Sequence, residues 1–125
     1  MKSYSKIIPI EIYRRGVLVF IGDKEECARN LQKHKIKEDC VNAVRDYDMD
    51  GTLAYTMEIG SDVLVYMKKK QPMDIIVHEL SHAVFKILKI VGIDPTECEE
   101  AYAYLIDYLY KKVSEWISDV PSDAL

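Results

Sequence analysis

The stretch from Pro72 to Gly92 constrains this chain more than any other. Proline suits the first turn of a helix, and glycine suits the residue just past its end. Between them the apolar residues recur at helical spacing. At about 100° per residue, Leu80, Val84, Ile87, Leu88 and Val91 share one face. The pattern predicts a single amphipathic helix from 72 to about 91, which must bury that stripe against another element. On the opposite side stand His78 and His82, about 40° apart, with Glu79 offset from His78 by about 100°.

The elements around this helix follow from local signals. Residues 6–13 and 16–21 are rich in Ile and Val and flank Arg14-Arg15-Gly16, so they predict two extended segments. Asp23 is an N-cap with Glu26 three residues on, which starts a helix over 24–34. Residues 37–48 form a second short helix or extend the first. Met49-Asp50-Gly51 reads as a turn. Two runs, near 52–59 and 62–67, are joined by Gly60-Ser61 and predict a β-hairpin. Past Gly92, Asp94 as N-cap and Pro95 at the first helical position start a last helix that reaches about Ile117. The fold class expected is α+β: a small N-terminal antiparallel sheet packed on two long C-terminal helices, in one domain over 1–125.

Composition narrows the function classes. A net charge of −4 argues against nucleic acid as the main partner, because phosphate binding needs a basic surface. Lys68-Lys69-Lys70 reads as a solvated loop tip. Three cysteines, Cys27, Cys40 and Cys98, form no C-x-x-C pair and suit a reducing compartment. The N-terminal apolar run is broken by Pro9, Glu11 and Arg14-Arg15, so no export signal is expected. No window offers the uninterrupted apolar length of a membrane span. The expectation is a cytoplasmic protein that binds no membrane.

His78-Glu79-Leu80-Ser81-His82 is an H-E-x-x-H pentapeptide. One helical turn separates its imidazoles, so both can point at one ion, and the intervening carboxylate can take a proton from water. Two histidines on the polar face of a helix could instead simply be solvated. The apolar flanks, Asp74–Val77 and Ala83–Phe85, favour a motif in a buried helix, where histidines need partners. Such a site wants a third protein ligand. His34 lies in a lysine-rich helix end and reads as a surface residue. No histidine follows His82, which excludes the metzincin spacing. The remaining donors are Glu97, Glu99 and Glu100, with Cys98 as a thiolate alternative. Glu100 shares a polar stripe with Tyr104, Asp107 and Lys111, opposite a core face of Tyr102, Leu105, Leu109, Val113 and Trp116. It falls a full turn inside a helix begun at Asp94, so it ranks first. Glu97, in the first turn, is already explained by the helix dipole. Glu99 projects toward the apolar side.

The pentapeptide followed by the helix-borne glutamate of Glu97-Cys98-Glu99-Glu100-Ala101-Tyr102-Ala103-Tyr104-Leu105 resembles the gluzincins, the thermolysin-like branch of H-E-x-x-H metallopeptidases. Residues 51–110 also resemble small phage- or prophage-encoded metallopeptidases of bacteria. In those a strand pair leads into the motif, then Val91-Gly92-Ile93, then an E-x-x-A-Y helix. The resemblance implies a minimal zincin-like domain that binds a zinc ion through His78, His82 and Glu100, with Glu79 as general base. The chain departs from thermolysin-like enzymes in two ways. Tyr104 stands where they carry an aspartate, and 125 residues leave no room for their second domain.

The expected activity is zinc-dependent hydrolysis of peptide bonds in a peptide or protein substrate. Tyr104 is the candidate donor to the developing oxyanion, with Tyr66 as runner-up. The strand at 62–67 is the expected edge for an extended peptide. Two rival readings stand beside this one. The first is a non-catalytic metal-binding domain, a phage assembly or regulatory module. The second is an interaction domain whose histidines bind nothing. A partner protein or a second copy of the chain completing a shallow cleft is left open.

Overall fold

The computed structural model describes residues 2–48 and 51–122. The elements in chain order are β1 (Tyr4–Ile10), β2 (Arg15–Ile21), α1 (Lys24–Lys33), α2 (Glu38–Asp46), β3 (Ala54–Ile59), β4 (Asp62–Met67), α3 (Met73–Ile90) and α4 (Glu99–Ile117). A single 3₁₀ turn, Glu11–Tyr13, replaces the last residues of the extended segment expected over 6–13. It closes on Arg14, held in the left-handed region at φ 54°. The turn expected at Met49-Asp50-Gly51 falls on residues 49 and 50, which lie outside the described residues.

The four strands form one sheet in the order β1-β2-β4-β3. β1 pairs antiparallel with β2, and β3 pairs antiparallel with β4. β2 and β4 are parallel, with Val17 opposite Val63 and Ile21 opposite Met67. The sheet is therefore mixed, not antiparallel as expected, and its helices cover both faces. The reason is visible in the two central strands. Val17–Ile21 and Val63–Met67 are each buried at every residue, as a strand covered on both faces must be. One face, with Val17, Val19, Val63 and Val65, packs on α3 and α4. The other, with Leu18, Phe20, Leu64 and Tyr66, packs on α1 and α2. The α1–α2 pair thus forms a second helical layer, and the C-terminal helices cover only one side.

Local chemistry sets the ends. Asp23 Oδ2 accepts from the Glu25 and Glu26 amides at 3.0 and 3.3 Å, capping α1. Lys35 at φ 59° ends α1, with Ile36 N–H donating to the Leu31 carbonyl at 3.1 Å, so α2 is a separate helix. The same device, with the expected glycine, ends α3. Gly92 sits at φ 79°, and Ile93 N–H reaches the Leu88 carbonyl at 2.8 Å. Asp94 does cap, but only one isolated turn. Its carboxylate accepts from Thr96 N–H at 2.9 Å and Thr96 Oγ1 at 2.7 Å, and α4 begins later, at Glu99.

The sheet's two margins differ. β1 carries Pro9, which lacks an amide proton, and its carbonyl accepts from Tyr108 Oη at 2.6 Å. β3 forms the other margin, so the expected peptide edge at 62–67 is an interior strand and the open edge is β3. Lys70 is half-buried and donates to the Val120 carbonyl at 2.7 Å, tying the loop after β4 to the chain just past α4. Lys68 and Lys69 are exposed, as the lysine run suggested, and Lys70 departs from it.

Candidate functional site

α3 lays Ile76, Leu80, Ala83, Val84, Ile87 and Leu88 into the core. This leaves His78 and His82 exposed on the outer face. The apolar flanks bury the helix on one side only, so the expectation of buried histidines fails. The pairing of the histidines holds. His78 Nε2 and His82 Nε2 stand 3.3 Å apart, with ring planes inclined by 80°. Two nitrogens each bound at about 2.0–2.1 Å to a tetrahedral zinc lie about 3.3 Å from one another. The same separation is within reach of an Nε2–H···Nε2 hydrogen bond between neutral rings.

Glu79 is the one buried charged residue among the described residues, 7% exposed. It turns from the histidine stripe toward β3, where Thr56 Oγ1 lies 2.7 Å from Glu79 Oε1 and 3.0 Å from the Glu79 carbonyl oxygen. A hollow of about 340 Å³ opens here beside the margin of the sheet. It is lined by Ala54, Tyr55 and Thr56 of β3, by Glu79, His82 and Lys86 of α3, and by Tyr47. Tyr47 stacks on Tyr55 with centroids 4.0 Å apart and walls the hollow on the side away from α3. The motif's carboxylate, one of its imidazoles and an open strand edge thus share one groove.

The structure treats the α4 candidates differently. Glu100, Tyr104, Asp107 and Lys111 all face solvent. Tyr102 meets Phe85 of α3, with centroids 5.1 Å apart. Glu100 precedes Tyr102 by two residues and so points about 160° away from it, away from α3. Its predicted depth in the helix also fails, because α4 starts at Glu99 and Glu100 lies in the first turn. The dipole argument that set Glu97 aside applies to Glu100 equally. The carboxylate on the α3 side is Glu99, which lines a hollow with Phe85, Pro95, Thr96 and Tyr102. Glu97 and Cys98 are exposed. Among the described residues no three His, Cys, Asp or Glu side chains stand close enough to hold one ion. The pair His78–His82 fits a metal's bite, and the expected set with Glu100 is not assembled.

The two tyrosine candidates are elsewhere. Tyr104 is 71% exposed and lines a hollow of about 630 Å³ formed by Ile10–Tyr13 and α4, to which α3 contributes nothing. This hollow is larger than the groove at Glu79, but it is mainly apolar and lacks the histidines. Tyr66 is buried on the α1–α2 side of the sheet and donates to the Gly22 carbonyl at 2.7 Å. Its hydroxyl is pushed up to about 12 by burial, then by Cys27 and Asp23. His34 is exposed at the end of α1, as expected. The residues that sequence reasoning missed are Thr56 and Lys86. Lys86 had a signal, since it follows Glu79 by seven residues and so shares its side of the helix.

No family model, no curated protein and no solved structure matches this chain. No helix among the described residues is long and apolar enough to cross a membrane.

Proposed function

We propose that this protein hydrolyses peptide bonds with a divalent metal, zinc above all, held by His78 and His82, and with Glu79 as general base. The observation that carries the reading is the 3.3 Å Nε2–Nε2 separation, placed one residue from a buried carboxylate that opens on a groove. Two imidazoles with a carboxylate as third donor suit zinc. The third donor is not assembled among the described residues; Glu99, the α4 carboxylate that lines a hollow with Phe85 of α3, is our candidate in place of Glu100. The chemistry a bound zinc supplies at such a pair is Lewis-acid polarisation of a water and of a carbonyl oxygen.

The chain's own groups do the rest. Glu79 accepts a proton from the attacking water as the new carbon–oxygen bond forms, and returns it to the leaving amine nitrogen as the carbon–nitrogen bond breaks. An extended peptide lies along the open margin of β3 and borrows its unpaired backbone groups. Lys86, the one cationic side chain lining the groove, takes the oxyanion-donor role that Tyr104 is not placed to fill.

The test is cleavage of a broad peptide library by zinc-loaded wild type and by Glu79→Gln. Cleavage by the wild type that is lost in Glu79→Gln, with zinc retained, supports the reading. Equal inertness of both sinks it. A second reading, a non-catalytic metal-binding interaction domain, is favoured by one observation: the described residues bring together two donors and not three. Equal inertness of wild type and Glu79→Gln, with one bound zinc per chain, selects that reading.

A further inference from the structure

We infer that Thr56 is the positioning residue for Glu79; this rests on the hydrolytic reading above. Glu79 is a carboxylate almost wholly withdrawn from water, and such a group must be held by hydrogen bonds. Thr56 reaches it from another element, 23 residues earlier in the chain, at 2.7 Å. A hydroxyl-to-carboxylate contact of that length is a strong, charge-assisted hydrogen bond. Threonine branches at Cβ, so its side-chain torsion is stiff and the donor stays where the strand puts it. The hydroxyl carries one proton and has a second acceptor within reach, the Glu79 carbonyl oxygen at 3.0 Å. Both oxygens of Glu79 that the hydroxyl can reach lie on the same side of β3, so one side chain ties the carboxylate and its backbone to the strand.

The placement has a second consequence. Thr56 belongs to β3, whose free margin lines the groove. A peptide that pairs with β3 would load the same strand that orients the base. Docking of an extended substrate and aiming of Glu79 are thus mechanically joined through one side chain. Thr56 lies on β3 rather than among the α3 imidazoles, so it acts on the proton carrier and not on metal affinity.

The experiment compares Thr56→Val and Thr56→Ser with wild type, all zinc-loaded, by peptide kinetics, zinc stoichiometry and crystal structures. Thr56→Val keeps the shape and loses the hydroxyl. We expect its kcat to fall about 10- to 100-fold, the range a small misplacement of a reacting group costs. KM should stay within about twofold, zinc should remain bound, and the Glu79 carboxylate should leave its wild-type position. Thr56→Ser should restore both kcat and that position. An unchanged Glu79 position in Thr56→Val overturns the inference, as does a lowered melting temperature with kcat unchanged. If wild type cleaves nothing while Glu79 still swings away in Thr56→Val, the hydrolytic reading fails and the positioning contact stands.

Discussion

Tyr102 of α4 lays its ring against Phe85 of α3, with centroids 5.1 Å apart and planes inclined by 46°. The buried stripe of Leu105, Leu109, Val113 and Ile117 sets the rotation of α4 about its axis, and the ring contact lies at its edge. That rotation turns Glu100 outward and brings Glu99 to the α3 side, where it lines the hollow beside Phe85.

The metal reading separates these two carboxylates. His78→Ala and His82→Ala should each abolish stoichiometric zinc binding, measured by elemental analysis after gel filtration. Glu100→Gln should leave zinc affinity within about twofold. Glu99→Gln should weaken it about tenfold or more, the least that loss of a supporting contact costs at such sites. A Glu100→Gln variant that loses zinc while Glu99→Gln keeps it would reverse the assignment.

Lys86 shares its groove with Glu79 and His82. Lys86→Met removes the ammonium and keeps most of the stem. We expect kcat to fall by about 100-fold or more, with KM changed little, as for loss of one preorganised oxyanion donor. A full-rate Lys86→Met enzyme leaves that donor elsewhere.

The three cysteines should react in order of access. Cys98 is exposed, Cys40 half-buried and Cys27 buried. Burial pushes the Cys27 thiol up to about 12, so almost none is thiolate near neutral pH. Titration with a thiol reagent at pH 8 should label Cys98 fast and Cys40 more slowly. Cys27 should react only when the chain unfolds. Prompt labelling of three thiols in the native protein would show the α1–α2 layer to be open.

Acid should weaken the tie between α1 and α2. Hydrogen bonds from Arg45, then its charge, hold the Glu25 carboxyl below the ordinary glutamate range. The folded form thus prefers the ionised carboxylate. The stability this lends is full above the ordinary glutamate value and is lost as pH falls through the lower folded value. Glu25→Gln should therefore flatten the acid limb of the stability–pH profile and change little at low pH. The pair is at the surface, so added salt should shrink the difference.

Gly92 lies in the left-handed region at φ 79°, with open space where a Cβ would stand. Gly92→Ala should cost about 1 kcal/mol from backbone strain alone, and Gly92→Asn less. Denaturant midpoints at constant slope would measure both. An effect near zero would mean the turn relaxes.

Much of the architecture was legible because its signals are local. The α3 helix is bracketed by Pro72 and Gly92, and Asp23 announces α1. The long-range order was not legible. Val63–Met67 forms the hairpin arm that its alternation predicts, but not the expected free edge, because five consecutive buried apolar residues belong to an interior strand. The end of α1 near residue 34 was legible, but its separation from α2 was not, because at Lys35 a lysine occupies a left-handed conformation that usually advertises itself with glycine. At the site, the spacing of His78 and His82 sufficed to foresee their meeting. The polar stripe that carries Glu100 was legible, but not which way it turns, and in the structure it faces water. Thr56 could not have been foreseen, since only the folded sheet carries it to Glu79.

The sheet's unequal margins bear on how copies of this chain can meet. Pro9 removes one amide donor from the β1 border, and the Tyr108 hydroxyl takes up that residue's carbonyl. A visiting strand laid beside β1 must break its ladder there. One laid beside β3, which carries no proline, meets no such interruption.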